Sequence, residues 1–233
     1  MTIPKTNLFE RGTSTLIDHS VADQVFERLR GDIFNGKFQP GEPLKELVLA
    51  RAFGVSQSSV RAALQRLTEQ GLVERRPRRG TCITSFTPEE MAERTKVRIL
   101  LESFAAVEAK RRMDADSLSL LRKKAAAADS AVKLRRARTE ITELDFDFHR
   151  TLWQVAGNRT LERILEHLSA PLFAYLLLKT FPYGDRYLDR INPHFPIVES
   201  LEKGSEDEVE EAIRTHITRG GIPFPDPSDG ADL

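Results

Sequence analysis

The stretch from Pro43 to Leu64, PLKELVLARAFGVSQSSVRAAL, constrains this chain more than any other. Leu44, Leu47, Leu49, Ala50 and Phe53 give a short first helix its apolar face. Gly54 ends that helix, because glycine accepts the left-handed backbone of a helix exit. Ser56 can cap a second helix through its side-chain oxygen. Val60, Ala63, Leu64 and Leu67 then recur at helical spacing until Gly71. Helix, tight turn, helix is the geometry that lays a second helix in a DNA major groove. An ordinary helical hairpin fits the same pattern, so the flanking sequence decides.

Downstream, Leu72-Val73-Glu74 leads into Arg75-Arg76-Pro77-Arg78-Arg79-Gly80 and then Thr81-Cys82-Ile83-Thr84. This predicts two short strands around a basic turn, a wing beside the second helix. Arginines in such a turn suit phosphate contact or entry into a narrow minor groove. Upstream, Val21, Val25, Leu29 and Ile33 recur at every fourth position, which predicts an amphipathic helix over residues 20–35 ending at Gly36. The three parts make a winged helix-turn-helix, placed in an N-terminal domain over residues 1–85.

Charge follows the same division. The chain of 233 residues is neutral, with 35 basic and 35 acidic side chains, which argues against non-specific polyanion binding. Residues 1–85 nevertheless hold 13 Lys+Arg against 9 Asp+Glu, and the remainder 22 against 26. A basic half joined to an acidic half suits a nucleic-acid-binding domain fused to one that does not bind DNA. Cys82 is the single cysteine, so no internal disulfide forms, and a reducing cytoplasm is the simple expectation. No signal peptide is read, and the most apolar run, Ala170–Leu178, is far short of a bilayer span, so no membrane association is expected.

The second half reads as helical throughout. Thr87-Pro88-Glu89-Glu90 is a capping box with proline in the first turn, predicting a helix to about Met113. Further helices are predicted over 116–136, 141–156, 160–180 with a kink at Pro171, 193–201 and 205–218. The expected architecture is therefore mainly α: the winged domain, then an antiparallel bundle of six or seven helices over residues 86–219. The Pro/Gly/Asp-rich residues 220–233 are expected to be a disordered tail.

One constellation in that bundle carries chemistry. Asp145 and His149 are four apart and share one helix face; His194 starts the penultimate helix and His216 lies near the end of the last. Together they would supply three imidazoles and a carboxylate, a donor set suited to a divalent ion such as zinc or nickel. Taken singly, each reads more readily as a surface or helix-end residue, as His19 and His167 do.

The chain resembles GntR-type transcription regulators of the FadR subfamily, whose effector domain is called FCD. The N-terminal resemblance lies in Ile33 through Leu44 (IFNGKFQPGEPL), Phe53-Gly54-Val55-Ser56, Val60 through Leu67 (VRAALQRL) and Gly71-Leu72-Val73 with Arg79-Gly80. The C-terminal part is carried by Arg98 with Leu101-Glu102, by Asp145, Phe148, His149 and Leu152 through Ala156-Gly157-Asn158, and by His194 and His216. The resemblance implies a homodimer that binds double-stranded operator DNA as a repressor or activator and is not an enzyme. Its helical domain would bind a small carboxylate metabolite, often on a divalent metal. Asp145, His149, His194 and His216 match the metal positions, and Arg98 matches an arginine that faces the effector cavity. Where the family commonly has Ser-Arg-Thr-Pro-Val-Arg, this chain has Ser56-Gln57-Ser58-Ser59-Val60-Arg61. Gln57 thus stands in place of a base-contacting arginine, and glutamine favours adenine where arginine favours guanine. Ser58, Ser59, Arg61 and Arg66 remain as candidate DNA contacts, with Arg76, Arg78, Arg79 and Gly80 on the wing.

Two other readings compete. The bundle can serve purely as a dimerisation module, or the His/Asp set can activate water as in a metallohydrolase. Against the hydrolase, the chain has no HExxH motif or nucleophile elbow, and helical phase turns Glu143 and Asp147 away from Asp145 and His149.

Overall fold

The computed structural model describes residues 20–176 and 193–220. His19, the predicted tail beyond Gly220 and the end of the predicted 160–180 helix lie outside the described residues. In the N-terminal half, α1 spans Val21–Phe34, α2 Glu46–Phe53 and α3 Gln57–Glu69. Ser20 and Asp23 close a capping box on α1, satisfying N–H groups that a helix start leaves without partners. Gly54 leaves α2 at φ +67°, and the Ser56 hydroxyl accepts the Ser59 N–H at 3.1 Å to start α3. Val60, Ala63, Leu64 and Leu67 form the buried face of α3.

Two strands follow, β1 over Val73–Arg76 and β2 over Gly80–Ile83, paired antiparallel with Val73 opposite Ile83 and Arg76 opposite Gly80. The hairpin extends sideways, since Pro43 bridges Cys82 and the Leu44 N–H donates to the Thr81 carbonyl at 2.8 Å. This pairing corrects the first-helix expectation. Leu44 is buried in extended backbone against the wing, α2 begins only at Glu46, and Leu47 is 45% exposed rather than part of a buried face.

The C-terminal half contains α4 (Pro88–Arg111), α5 (Ala115–Lys133), α6 (Arg138–Val155), α7 (Arg159–Leu176), α8 (Phe195–Lys203) and α9 (Glu206–Gly220). The Thr87/Glu90 capping box opens α4, and the Asp114 carboxylate accepts the Ser117 N–H to open α5. The long α4 packs against α6, α7, α8 and α9, while α5 lies against α6 and α8. Among the described residues no helix is long and apolar enough to cross a membrane.

Winged and helical parts share one hydrophobic core. Phe34, at the end of α1, packs on Phe146 of α6 with ring centroids 5.9 Å apart, and Phe146 meets Phe173 of α7 edge-on at 5.1 Å. A polar seam runs beside these rings. Gln70 donates to the Glu166 carboxylate at 3.1 Å, and His167 Nδ1 donates to the Glu69 carbonyl at 3.0 Å. Pro171 has no N–H to give the His167 carbonyl its helical partner four residues on. That carbonyl faces Gly71, where a Cβ would sit 2.7 Å from its oxygen.

Gly71 and Gly54 both hold left-handed backbone, but a Cβ at Gly54 would meet nothing within 4 Å. Gly54→Ala is expected to lower stability by about 1 kcal/mol, the strain of a positive φ alone. Gly71→Ala adds a contact with rigid backbone, and a loss of about 2–3 kcal/mol is expected. Urea unfolding of the two variants side by side measures the difference, and equal losses would mean that the seam yields.

Candidate functional site

Four side chains from three helices converge inside the bundle. Asp145 and His149 lie one turn apart on α6, His194 is the residue preceding α8, and His216 is on α9. Each offers one ligand atom, and these atoms all lie within 4.8 Å of one another. His149 Nε2 is 3.1 Å from His216 Nε2, and His194 Nε2 is 3.1 Å from Asp145 Oδ1. All four residues are buried, His149 and His194 completely.

Two further carboxylates aim the rings. His149 Nδ1 donates to Glu102 Oε2 of α4 at 2.7 Å, and His194 Nδ1 donates to Asp129 Oδ1 of α5 at 2.8 Å. The Asp129 carboxylate also accepts the His194 backbone N–H at 3.0 Å. With Nδ1 held by a carboxylate, each Nε2 faces the cluster, the arrangement by which proteins orient imidazole ligands. Glu102 is fully buried and accepts a hydrogen bond from Arg98 Nε at 2.5 Å, and the Arg98 guanidinium lies 4.7 Å from the Phe173 ring centre. Arg98 is thus buried beside the cluster, joined to it through Glu102.

Neither Glu102 nor Asp129 stood out in the sequence as a site residue. Asp129 had a readable signal, because it continues the buried stripe of Leu121, Ala125 and Ala128, where a carboxylate demands a partner. Glu102 was marked by an arginine one helical turn before it and by its place in the family resemblance, neither of which gave it a role.

The electrostatics follow from burial and pairing. Burial opposes ionisation of Glu102, yet the charges of Arg98 and His149 outweigh it and hold this carboxyl down to about 2. Asp145 is likewise penalised by burial, but hydrogen bonds from His149 and His194 hold it well below the usual carboxylate range. Burial disfavours a charged His194, and the bonds to Asp129 and Asp145 reverse that, pushing it up to about 9. His216 is pushed well below the ordinary histidine range by burial and by the neighbouring His194 and His149. The donor set fits a divalent ion: imidazole nitrogens and a carboxylate oxygen converge, and ring orientation is fixed for two of the three histidines.

Asp147 faces elsewhere, paired with Lys124 and with Arg150 at 2.9 Å, and Glu143 is exposed. Neither carboxylate stands beside the cluster to activate a water there.

The second candidate surface is the outer face of α3. Gln57, Ser58 and Arg61 are exposed on it, and Ser59 is half-buried against Ser56. Arg66 is not brought to that face. It lies over the Phe26 ring at 3.9 Å and pairs with Asp23, tying α3 to α1. Arg76 is likewise occupied at the wing base, donating to Glu74 at 2.7 Å and to Ser85 at 2.6 Å. Arg78, Arg79 and Gly80 are exposed at the wing tip. Arg75, between wing and α3, lines a cleft there with Glu46, Arg61 and Gln65.

Residues 21–83 match the model of bacterial regulatory proteins of the gntR family, and residues 93–219 match the FCD domain. The HTH-type transcriptional regulator YdhC of Bacillus subtilis is 32% identical over 194 residues, covering 83% of this chain and 86% of its own. The HTH-type transcriptional repressor RspR of Escherichia coli is 27% identical, over 84% of this chain and 86% of its own. Among solved structures, E. coli McbR/YncC shares the fold with a TM-score of 0.68 at 18% identity, covering 85% of this chain and 93% of its own.

Two outcomes are expected of the cluster. His194 is protonated below about pH 9, while a metal needs its Nε2 lone pair, so uptake at neutral pH must expel a proton. Apparent zinc affinity should therefore rise about tenfold per pH unit from about pH 6 to 8 and flatten near 9. Calorimetry in buffers of different protonation enthalpy counts the proton, and a pH-independent affinity would contradict the assignment. Asp129→Asn removes an orienting charge without leaving Arg98 unpaired, and a loss of about 10–100-fold in zinc affinity is expected.

Proposed function

The chain belongs to the GntR family of bacterial regulatory proteins, with an FCD domain as its C-terminal half, and from that footing we propose a homodimeric repressor that senses a small carboxylate at a divalent-metal site. It is a DNA-binding transcription regulator; its relatives are regulators, not enzymes, and include repressors. The observation that carries the finer reading is the buried convergence of Asp145, His149, His194 and His216, with Glu102 and Asp129 behind two of the rings.

A divalent ion held by those four side chains would supply an open coordination position for a carboxylate or hydroxy-acid oxygen. Arg98, buried and cationic within the same packed layer, supports recognition of an anion there. On the DNA side, Gln57, Ser58 and Arg61 are the proposed readers of base edges and Ser59 a phosphate contact, while Arg78, Arg79 and Gly80 of the wing reach backbone or minor groove. Arg66 and Arg76 act by buttressing these elements rather than by touching DNA. A second copy of the chain fits the exposed apolar stripe Val97, Leu100 and Phe104 on α4, and two winged domains would then read two half-sites.

A ligand alters operator affinity only by binding two arrangements of the dimer unequally. The rings of Phe173, Phe146 and Phe34 connect the cluster's surroundings to α1, which makes the placement of the winged domain sensitive to the cluster's packing.

Elemental analysis of tag-free protein, followed by thermal-shift screening of small carboxylic acids on zinc-loaded and chelated samples, tests the reading. About one divalent ion per chain is expected. An acid at about 100 times its Kd should stabilise the loaded protein by about 2.7 kcal/mol. His194→Ala and His216→Ala should lose both metal and response. Full metal content and response in both variants would refute the assignment, and absence of metal in the parent would favour a bundle that only dimerises.

A further inference from the structure

The outer face of α3 contains one feature that base reading alone does not require. Arg61 is not a loose cation. Its Nε donates to Glu46 Oε2 at 3.1 Å and its Nη2 to the same oxygen at 2.8 Å, across fifteen residues of sequence. Glu46 is the first residue of α2, where a helix start favours negative charge. The bond from Arg61, with the charges of Arg61 and Arg75, keeps its carboxyl below the usual glutamate range, so it is ionised at neutral pH. Arg61 itself remains largely exposed, so the pair is open to an incoming duplex.

The geometry restricts what Arg61 can offer. Glu46 occupies the side edge of the guanidinium, Nε and one N–H of Nη2. The end, made of Nη1 and the other Nη2 proton, is left for a partner, and that end is a fork that matches the O6 and N7 acceptors of guanine. A long side chain on a solvent-facing helix would otherwise spread over many rotamers. The carboxylate also works against indiscriminate contact. It partly cancels the Arg61 charge and places negative charge where phosphates would approach, which weakens sequence-independent binding more than binding to a base edge.

We infer that Glu46 is a positioning residue for operator readout: it holds Arg61 end-on toward guanine and disfavours its use as a phosphate clamp. The inference rests on the reading of the α3 face as the operator surface and adds a residue outside α3 to it. A purely structural brace between α2 and α3 would alter stability without altering base preference, so base preference is the quantity to measure.

The test selects a randomised duplex library on full-length parent, Glu46→Gln and Arg61→Ala proteins, with competition by random-sequence duplex as a second measurement. Parent protein should show a guanine preference that Arg61→Ala loses. Glu46→Gln should lose about tenfold of the preference at that same base pair, keep the rest of the motif, and bind the random duplex more tightly than the parent. Retention of the guanine preference by Glu46→Gln overturns the role of Glu46 while leaving Arg61 in place. Uniform weakening over the whole motif, with a lowered unfolding midpoint, also overturns it in favour of a structural brace. Glu46→Asp, which keeps the charge on a shorter stem, should recover part of the preference; recovery of stability without preference counts against the inference. An unchanged motif in Arg61→Ala removes Arg61 from the operator surface, a failure of the underlying reading distinct from the others.

Discussion

Charged groups taken out of water must be paired, and the helical half is arranged around that requirement. Glu102, Asp129, Asp145 and Arg98 are buried together with three histidines. An uncompensated charge in such a place would be destabilising by several kcal/mol. The pairs that answer it join helices or lie one turn apart: α4 to α6 through Glu102 and His149, α5 to the start of α8 through Asp129 and His194, and Arg98 to Glu102 within α4. The network therefore fixes helix register more sharply than the alanine-rich packing around it does. Small side chains such as Ala105, Ala106, Ala125 and Ala128 allow several sliding arrangements, whereas the polar pairs are satisfied by one.

The same constraint gives the winged half its connection to the site. Phe173 touches His149 and lies beneath Arg98, so the layer that walls the polar cluster also builds the chain of rings ending at Phe34. A few residues away, the end of α3 is tied to α7 through Gln70 and Glu166, with Gly71 against the His167 carbonyl that Pro171 leaves unsatisfied within the helix. Burial of Glu166 raises its carboxyl above the ordinary glutamate range. Two independent connections reach the winged domain, one apolar at α1 and one polar at α3.

Most of the fold was legible because the signals were local. Capping residues, left-handed glycines and helical periodicity mark α1, α3, the wing and α4 within windows of a few residues. The first-helix reading failed where a long-range interaction won: the wing strand recruits Leu44 into extended pairing, and no periodicity within residues 43–53 reports that. Placement of Asp145, His149, His194 and His216 in one spot could be expected only from residue types and a resemblance, since the distances depend on how three helices cross. The carboxylates that orient His149 and His194 were harder still. Glu102 and Asp129 lie on helices whose sequences show ordinary i,i+4 charge and alanine patterns, and only the fold shows which rings they meet. Arg66 illustrates the reverse difficulty: an arginine on the second helix of the motif suggests DNA, but its neighbours in space are Phe26 and Asp23.

The arginines around the winged domain divide by whether an acid holds them. Arg61, Arg66 and Arg76 are each paired, to Glu46, Asp23 and Glu74 respectively, whereas Arg78 and Arg79 are exposed at the wing tip. Pairing lowers the net charge near α3 and fixes side-chain direction. Exposure leaves the wing as the concentrated positive charge, on a turn whose Arg78 holds left-handed backbone. On the reading proposed above, long-range attraction to DNA would act mainly on the wing. On the same reading, the helix face would contribute little until base edges are in reach, and discrimination would fall to Gln57 and Arg61. Such a separation would let a chain with no net charge serve a polyanion, with the acids around α3 limiting sequence-independent affinity on the surface that must discriminate.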